Sequence, residues 1–294
     1  MNFQTLDLKF LGTDDTIAAY LIESTDGPIL IECGPHSTIN ALEKALEKHG
    51  YRTDDIAHIF LTHIHLDHAG AAWYFAEMGC NIYVHPAGIK HLADPTKLMS
   101  SARMIYKEKM DELWGDMQPI ENEQLIIAEH NQKFLIGDKI LTAHHTPGHA
   151  VHHIAWQIED VLFTGDVGGV KVNKGPVMPP CPPPDINIED WLASIKLMRN
   201  LKIKQLQLTH FGTVTNVQAH FDELETILKD WAAWMKPYFD KKTEEAEIVP
   251  HFKAYVKTQL IEKGIKGDEL LKYEYANPAW MSVAGLMRYW SKKA

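Results

Sequence analysis

Residues 63–68, with the sequence HIHLDH, carry three histidines and one aspartate within six positions. Imidazole nitrogens and carboxylate oxygens are the ligands that zinc, iron and manganese accept in proteins. His63 and His65 are two residues apart, so on an extended or turn backbone their side chains project to the same side. Core packing gives no reason for this density of polar groups, which need partners to offset their desolvation. The segment therefore predicts a metal site.

Three more candidate ligands follow later in the chain, each predicted to lie where a strand ends. They are His149 in the turn HTPGH, Asp166 in the segment FTGD and His210 in the segment LTH. Ligands at successive strand ends converge on one edge of a sheet, where layered α/β proteins usually bind their ligands. We therefore predict that these side chains complete the metal site begun by residues 63–68.

Short apolar strands must position these side chains, and the hydrophobic pattern predicts strands mixed with helices. The predicted strands are 17–22, 28–31, 56–61, 81–84, 125–128, 133–136, 139–143, 152–158, 161–164 and 205–208. The predicted helices are 37–50, 69–78, 188–201, 216–235 and two more after about 244. Six prolines make residues 175–187 stiff and non-helical. Strands mixed with flanking helices predict an α/β layered fold.

Composition excludes several classes of protein. A formal charge of −10 over 294 residues, without a basic stripe, argues against a nucleic-acid partner. No apolar run reaches the roughly 18–20 residues of a membrane span. The first residues lack the pattern of a signal peptide, and the three cysteines form no CxxC. We therefore expect a cytoplasmic protein with a small-molecule substrate, no nucleic-acid or membrane partner, and the option of a homodimer.

The motif HxHxDH, followed in order by TPGH, by GD at a strand end and by a late histidine, resembles the metallo-β-lactamase superfamily. These four landmarks cover residues 17–212. The resemblance implies a four-layer αββα sandwich with a binuclear metal site at the open edge of its sheets. We predict a catalytic domain of this fold over residues 1–240, with a helical insertion at about 86–118. A helical extension over residues 241–294 would pack on the same domain.

The resemblance also implies which side chains bind two divalent metal ions. The first ion is expected to have three histidine ligands: His63, His65 and His149. The second ion is expected to have three ligands of its own: Asp67, His68 and His210. A seventh residue, Asp166, is expected to bridge both ions. Zinc is the preferred metal, with iron and manganese as alternatives. A metal-bridging hydroxide would attack the substrate, and Asp67 would have a catalytic role in orienting it or moving its proton.

Several residues around this site have two interpretations. Glu32 either orients a metal-binding histidine from behind or is a turn carboxylate that caps the next helix. His153, four residues after His149, is interpreted as supporting the ligands or as structural. Tyr106, Trp114 and Met178 are candidates to line the substrate pocket, and the competing interpretation is that they pack the insertion and the proline-rich loop onto the core.

The closest-looking branches of the superfamily are the glyoxalase II-like thioesterases and the lactonases. The resemblance therefore implies a binuclear metal-dependent hydrolase of a small ester, lactone or thioester. Gly169 stands where quorum lactonases have a tyrosine, so the substrate stays open. One alternative is a mononuclear iron-dependent dioxygenase similar to the persulfide dioxygenases. The other is a non-catalytic metal-containing sensor.

Overall fold

The computed structural model describes residues 2–294 and divides them into two compact units. The first, here called the sandwich unit, comprises the described residues 2–145 and His152–Phe163. The second, here called the helical unit, comprises Thr146–Val151 and Thr164–Ala294. Among the described residues, no helix is both long and apolar enough to cross a bilayer.

The first sheet of the sandwich unit has six strands that follow one another in chain order. They are β1 (Phe3–Asp7), β2 (Ala18–Ser24), β3 (Gly27–Ile31), β4 (His58–Phe60), β5 (Asn81–Val84) and β6 (Leu125–Ile127). The pairs β1–β2 and β2–β3 are antiparallel, and the three pairs from β3 to β6 are parallel. The apolar residues Ile29–Ile31, Ile59–Phe60 and Ile82–Val84 of β3, β4 and β5 are buried, as expected of parallel strands that are covered on both faces. The edge strand β6 is partly exposed at Ile127.

The second sheet contributes four consecutive antiparallel strands to the same unit. They are β7 (Lys133–Ile136), β8 (Lys139–His145), β9 (Ile154–Ile158) and β10 (Val161–Phe163). Aromatic side chains join the two sheets: the rings of Tyr20 and Phe163 are 5.1 Å apart, and those of Phe60 and Trp156 are 4.9 Å apart. The Trp156 indole N–H donates to the Leu61 carbonyl at 2.9 Å, so this large buried side chain also satisfies its polar atom.

Six short α-helices lie between β3 and β6 in the chain. They are α1 (Ile39–Glu47), α2 (Leu66–Ala69), α3 (Ala72–Ala76), α4 (Ile89–Ala93), α5 (Thr96–Tyr106) and α6 (Met110–Leu113). The single helix predicted over 69–78 is wrong, because α2 ends at Ala69 and α3 begins at Ala72. Gly70 lies in this break against another backbone: a Cβ there would be 3.0 Å from the Pro35 Cα. The last three helices lie within residues 86–118, where a helical insertion is predicted, and its status as an insertion stays a prediction.

The helical unit contains one antiparallel strand pair and five α-helices. They are β11 (Gln205–Leu208), β12 (Gly212–Val214), α7 (Ile188–Arg199), α8 (Val217–Asp240), α9 (Glu245–Glu262), α10 (Asp268–Ala276) and α11 (Ala279–Lys293). No helix forms between residues 175 and 187, as the prolines predict. The expectation of two helices after residue 244 is wrong. A third arises because Asn277, which precedes Pro278, has a non-helical backbone that separates α10 from α11.

The α/β sandwich with a C-terminal helical extension that the sequence predicts is confirmed. The predicted domain boundary at residue 240 falls between α8 and α9, both within the helical unit, and this boundary stays a prediction. Helix α9 packs on α8 through the rings of Phe252 and Trp231, whose centroids are 4.9 Å apart.

Candidate metal centre

Glu32, directly after β3, is a buried carboxylate that accepts three hydrogen bonds. Its Oε1 accepts from the Thr62 hydroxyl at 2.5 Å and from His68 Nδ1 at 2.8 Å, and its Oε2 accepts from the Thr62 backbone N–H at 3.2 Å. The helix that follows β3 has no side-chain cap of this kind. Because Nδ1 of His68 carries the proton given to Glu32, its Nε2 can offer a lone pair to a cation.

His63 is oriented through the same carboxylate. The Thr62 hydroxyl gives its proton to Glu32, so its oxygen accepts from His63 Nδ1 at 3.0 Å. Nε2 of His63 is therefore the ring nitrogen left for a cation, and it lies 3.0 Å from Nδ1 of His65. Two histidine nitrogens this close are positioned to bind one ion. Glu32, His63 and His68 together offer ligand atoms within 4.8 Å of one another.

Asp67 and His68 lie on α2, the short helix that begins directly after His65. Nε2 of His68 is 3.6 Å from Oδ2 of Asp67. The two side chains differ in exposure, because His68 is fully buried whereas Asp67 is 22% exposed. The backbone N–H groups of Cys33 and Gly34 both donate to the His68 carbonyl at 3.1 Å, which fixes α2 to the loop after β3.

In the helical unit, Asp166 lies between two histidines. Its Oδ2 is 3.3 Å from Nε2 of His149, and its Oδ1 is 3.3 Å from Nε2 of His210. All three side chains are at least 95% buried. Nδ1 of His149 donates to the Pro180 carbonyl at 2.9 Å, so its Nε2 is also the nitrogen with an available lone pair. The carboxylate of Asp166 thereby presents one oxygen to each of the two histidines.

The short turn Gly165–Gly168, which carries Asp166, is fixed by two side chains that sequence reasoning did not assign to the site. The Trp191 indole N–H donates to the Val167 carbonyl at 3.0 Å, and His220 Nε2 donates to the Gly168 carbonyl at 2.7 Å. Burial lowers the pKa of His220 to about 4, so the ring is neutral near pH 7. The sequence gives only a weak signal for either residue, because both look like ordinary apolar-face positions of helices.

Two further histidines of the sandwich unit lie against the ligand candidates. The His153 ring stacks 5.0 Å from that of His63. His152, which sequence reasoning missed, is 5.7 Å from the His65 ring and 6.1 Å from the His63 ring. The doublet HH after the TPGH turn is the signal that could have identified both.

The three pocket candidates have different surroundings. Trp114 stacks on Phe10 at 5.5 Å, and the Tyr106 ring meets Trp114 edge-on at 5.2 Å. Burial, reinforced by the charge of Asp67, raises the pKa of the Tyr106 phenol well above its usual value, which places Tyr106 within electrostatic reach of Asp67. Met178 is 1% exposed, and its backbone exchanges two 2.8 Å hydrogen bonds with Val170. Of the three pocket candidates, Tyr106 is the one whose pKa responds to the charge of a ligand candidate, Asp67.

The donor set of each unit suits a divalent cation. The sandwich unit offers three histidines and an aspartate, and the helical unit offers two histidines around a carboxylate. In His63, His68 and His149 a hydrogen bond holds the Nδ1 proton, which is the usual arrangement behind a metal-binding histidine. Nitrogen and carboxylate ligands of this kind fit zinc, iron or manganese.

One family model and several known sequences are similar to this chain. A family model described as the metallo-beta-lactamase superfamily matches residues 12–210. The metallo-beta-lactamase fold-containing protein ST1585 of Sulfurisphaera tokodaii is 30% identical over 166 residues, which are 55% of this chain and 63% of that protein. An N-acyl homoserine lactonase of a Bacillus species is 25% identical over 230 residues, covering 68% of this chain and 81% of the lactonase.

Solved structures show the same fold along nearly the whole chain. The crystal structure of ST1585 from Sulfolobus tokodaii aligns with a TM-score of 0.70 and 23% identity, covering 97% of this chain and 98% of that one. The metallo-beta-lactamase family protein TTHA1429 from Thermus thermophilus aligns with a TM-score of 0.73 and 20% identity, covering 99% and 93%. At these identities, the two structures bear on the fold alone.

Proposed function

Because this chain belongs to the metallo-beta-lactamase superfamily, we propose that it is a metal-dependent hydrolase of a small ester, lactone or thioester. The observation that carries the proposal is Asp166, whose two carboxylate oxygens each lie 3.3 Å from a histidine nitrogen. The similarity to an N-acyl homoserine lactonase supports a carbonyl ester or lactone among the bonds that it could cleave. The formal charge of −10 supports a small-molecule substrate over a nucleic acid.

We propose two divalent ions, preferably zinc, held by the ligand residues that the sequence predicts. One set of ligand atoms belongs to three histidines: His63, His65 and His149. A second set includes two aspartates and two histidines: Asp67, His68, Asp166 and His210. Metal ions bound by such ligands polarise a carbonyl oxygen and lower the pKa of water.

Other tasks, the transfer of protons and the orientation of the ligand histidines, would fall to residues of the chain. Asp67 is the ligand candidate with a solvent-accessible carboxylate, so its oxygens can accept the proton of the attacking water. The leaving oxygen or sulfur would then recover that proton, which completes the hydrolysis. Glu32 and the Pro180 carbonyl would keep the ligand histidines oriented while the reaction proceeds.

The test measures acid release by the purified protein, with its metal content determined, in a pH-stat. Simple esters, lactones, acyl-thioesters and phosphodiesters would be compared for the wild type, Asp67→Asn and Asp166→Ala. Asp54→Asn, an exposed position paired with Arg52, is the matched control. We expect one substrate class to turn over, with at least about a hundredfold loss in both site variants and none in the control.

Turnover that survives intact in Asp166→Ala, together with full metal content, would contradict the ligand assignment. If the metal-loaded wild type turned over no substrate of the panel, the proposal of hydrolysis would be contradicted. Oxygen consumption with an iron-loaded sample would then support the dioxygenase alternative, and silence there as well would support a sensor.

A further inference from the structure

We infer that the C-terminal helices α10 and α11 position a ligand of the metal centre, because they fix the proline-rich loop whose Pro180 carbonyl orients His149. The inference rests on the proposed function, since it assumes that His149 binds a metal ion. It assigns positioning roles to Asn277, Ser282 and Gly285, which lie more than a hundred residues beyond His149 in the sequence.

The first link is the hydrogen bond from His149 Nδ1 to the Pro180 carbonyl, at 2.9 Å. A carbonyl can only accept, so this contact fixes both the tautomer and the ring plane of His149. Nε2 is left to bind the ion, on the side where it meets Asp166 Oδ2 at 3.3 Å. If the carbonyl shifted, the imidazole could turn or carry its proton on the other nitrogen, and its affinity for a cation would fall.

The second link ties the residues on each side of Pro180 to the end of α10 and the start of α11. Asn277 Nδ2 donates to the Pro179 carbonyl at 3.1 Å, and the Cys181 N–H donates to Ser282 Oγ at 3.3 Å. Ser282 Oγ in turn donates to Asn277 Oδ1 at 3.1 Å, so these two side chains stabilise each other. The loop is therefore fixed immediately before and immediately after the carbonyl that holds His149.

The third link is close packing at Gly285, inside α11. A Cβ at this position would lie 1.9 Å from the Cys181 carbonyl oxygen and 2.8 Å from its carbon. Glycine within a helix is less favourable than alanine. Its presence here allows the backbone of α11 to approach the backbone of the loop. Any side chain would push the loop away, and Pro180 with it.

The hydrogen bonds, the buried serine and the glycine contact all converge on residues 179–181. Cys181 and Ser282 are fully buried, so water does not replace these bonds easily. The prolines of the loop limit its backbone freedom, so a displacement at Cys181 would be transmitted to Pro180 rather than absorbed locally. The helical extension thus acts on the metal centre through one carbonyl.

The experiment compares zinc affinity, measured by competition with a chromophoric chelator, for the wild type, Gly285→Ala and Ser282→Ala. We expect both variants to bind at least one of their zinc ions about tenfold or more weakly, because losses behind metal ligands have this size. Trp290→Phe is the matched control: it removes the α11 hydrogen bond to the Ala232 carbonyl on α8, away from the loop. Its zinc affinity should equal that of the wild type, whatever its melting temperature.

Equal zinc affinity of the wild type and a folded Ser282→Ala or Gly285→Ala would overturn the inference. It would also be overturned if Trp290→Phe lost zinc to the same degree, because the effect would then be one of general stability. The measurement needs no substrate. A wild type that binds zinc but hydrolyses nothing would contradict the proposed hydrolase and leave this comparison intact.

Discussion

Glu32 combines two features that an ordinary surface carboxylate does not have. It is fully buried, and its backbone has a φ of 65°, in the left-handed region that costs a non-glycine residue energy. Both costs are offset by three hydrogen bonds to Thr62 and His68. A single carboxylate thereby sets the proton positions of two ligand candidates, His68 directly and His63 through the Thr62 hydroxyl.

We predict that Glu32→Gln binds zinc about ten- to a hundredfold more weakly than the wild type. The amide keeps the shape of the side chain but removes one of the two acceptor oxygens and all of the charge. The measurement is zinc competition with a chelator, with circular dichroism to check the fold. Glu43→Gln is the matched control, because Glu43 also accepts a side-chain hydrogen bond, from Tyr74 at 2.8 Å. Unchanged affinity in Glu32→Gln would show that the carboxylate is only structural.

At the scale of single residues, the sequence identified the candidate ligands but not the groups that orient them. HxHxDH, TPGH and GD are short-range patterns, so the residue types and their spacing are visible directly. The acceptor for His149 is a backbone carbonyl 31 residues away, and a carbonyl has no residue type by which to recognise it. For Glu32 the sequence left two interpretations open, because the donors that reach a side chain depend on tertiary contacts.

At the scale of elements, the turn Gly165–Gly168 depends on donors from α7 and α8. His220 on α8 is buried, and burial lowers its pKa to about 4, with the positive charge of Lys171 adding to the effect and the bond to Gly168 opposing it. In the unfolded chain the same histidine has a pKa of about 6.5. Above pH ~6.5 the ring is neutral in both states, so its titration contributes nothing to the pH dependence of stability.

Between about pH 6.5 and pH 4 the unfolded chain takes up a proton that the folded chain does not, so the free energy of unfolding falls by up to about 1.4 kcal/mol per pH unit. We predict that His220→Gln loses less stability than the wild type over this range, because glutamine does not titrate. Urea unfolding of both metal-free proteins at several pH values measures the difference. Parallel pH dependences would contradict the burial of a neutral His220.

Element prediction succeeded where the local signal was strong. The strand predicted at 28–31 is β3, because an apolar run follows a turn sequence. Strands β1 and β12 were missed: β1 is a partly exposed strand with one buried residue, and β12 has only three residues. The helix at 69–78 was predicted as continuous because the break at Gly70 is required by a neighbouring backbone, which periodicity does not show.

At the scale of the whole molecule, the helical extension is joined to the rest of its unit by buried contacts. Phe252 packs on Trp231, and the Trp290 indole N–H donates to the Ala232 carbonyl at 2.9 Å. The Tyr273 hydroxyl donates to the Pro176 carbonyl at 2.6 Å and accepts from the Val172 N–H at 3.2 Å. These contacts reach both α8 and the segment that follows Asp166. The residues before the extension therefore depend on it for their packing.

We predict that a chain ending at Asp240 does not accumulate as a soluble, zinc-binding protein. Its loss of residues 241–294 would expose the apolar faces of α8 and the proline-rich loop, and exposed patches of this kind promote aggregation. A chain lacking only residues 293–294 is the control, because both residues are exposed and the ion pair of Lys293 with Glu189 is a surface pair of small energetic value. Soluble yield, circular dichroism and bound zinc would be measured for both chains. A soluble 1–240 fragment with full zinc content would mean that the metal centre is supported without α10 and α11, which would contradict both this prediction and the positioning role of those helices.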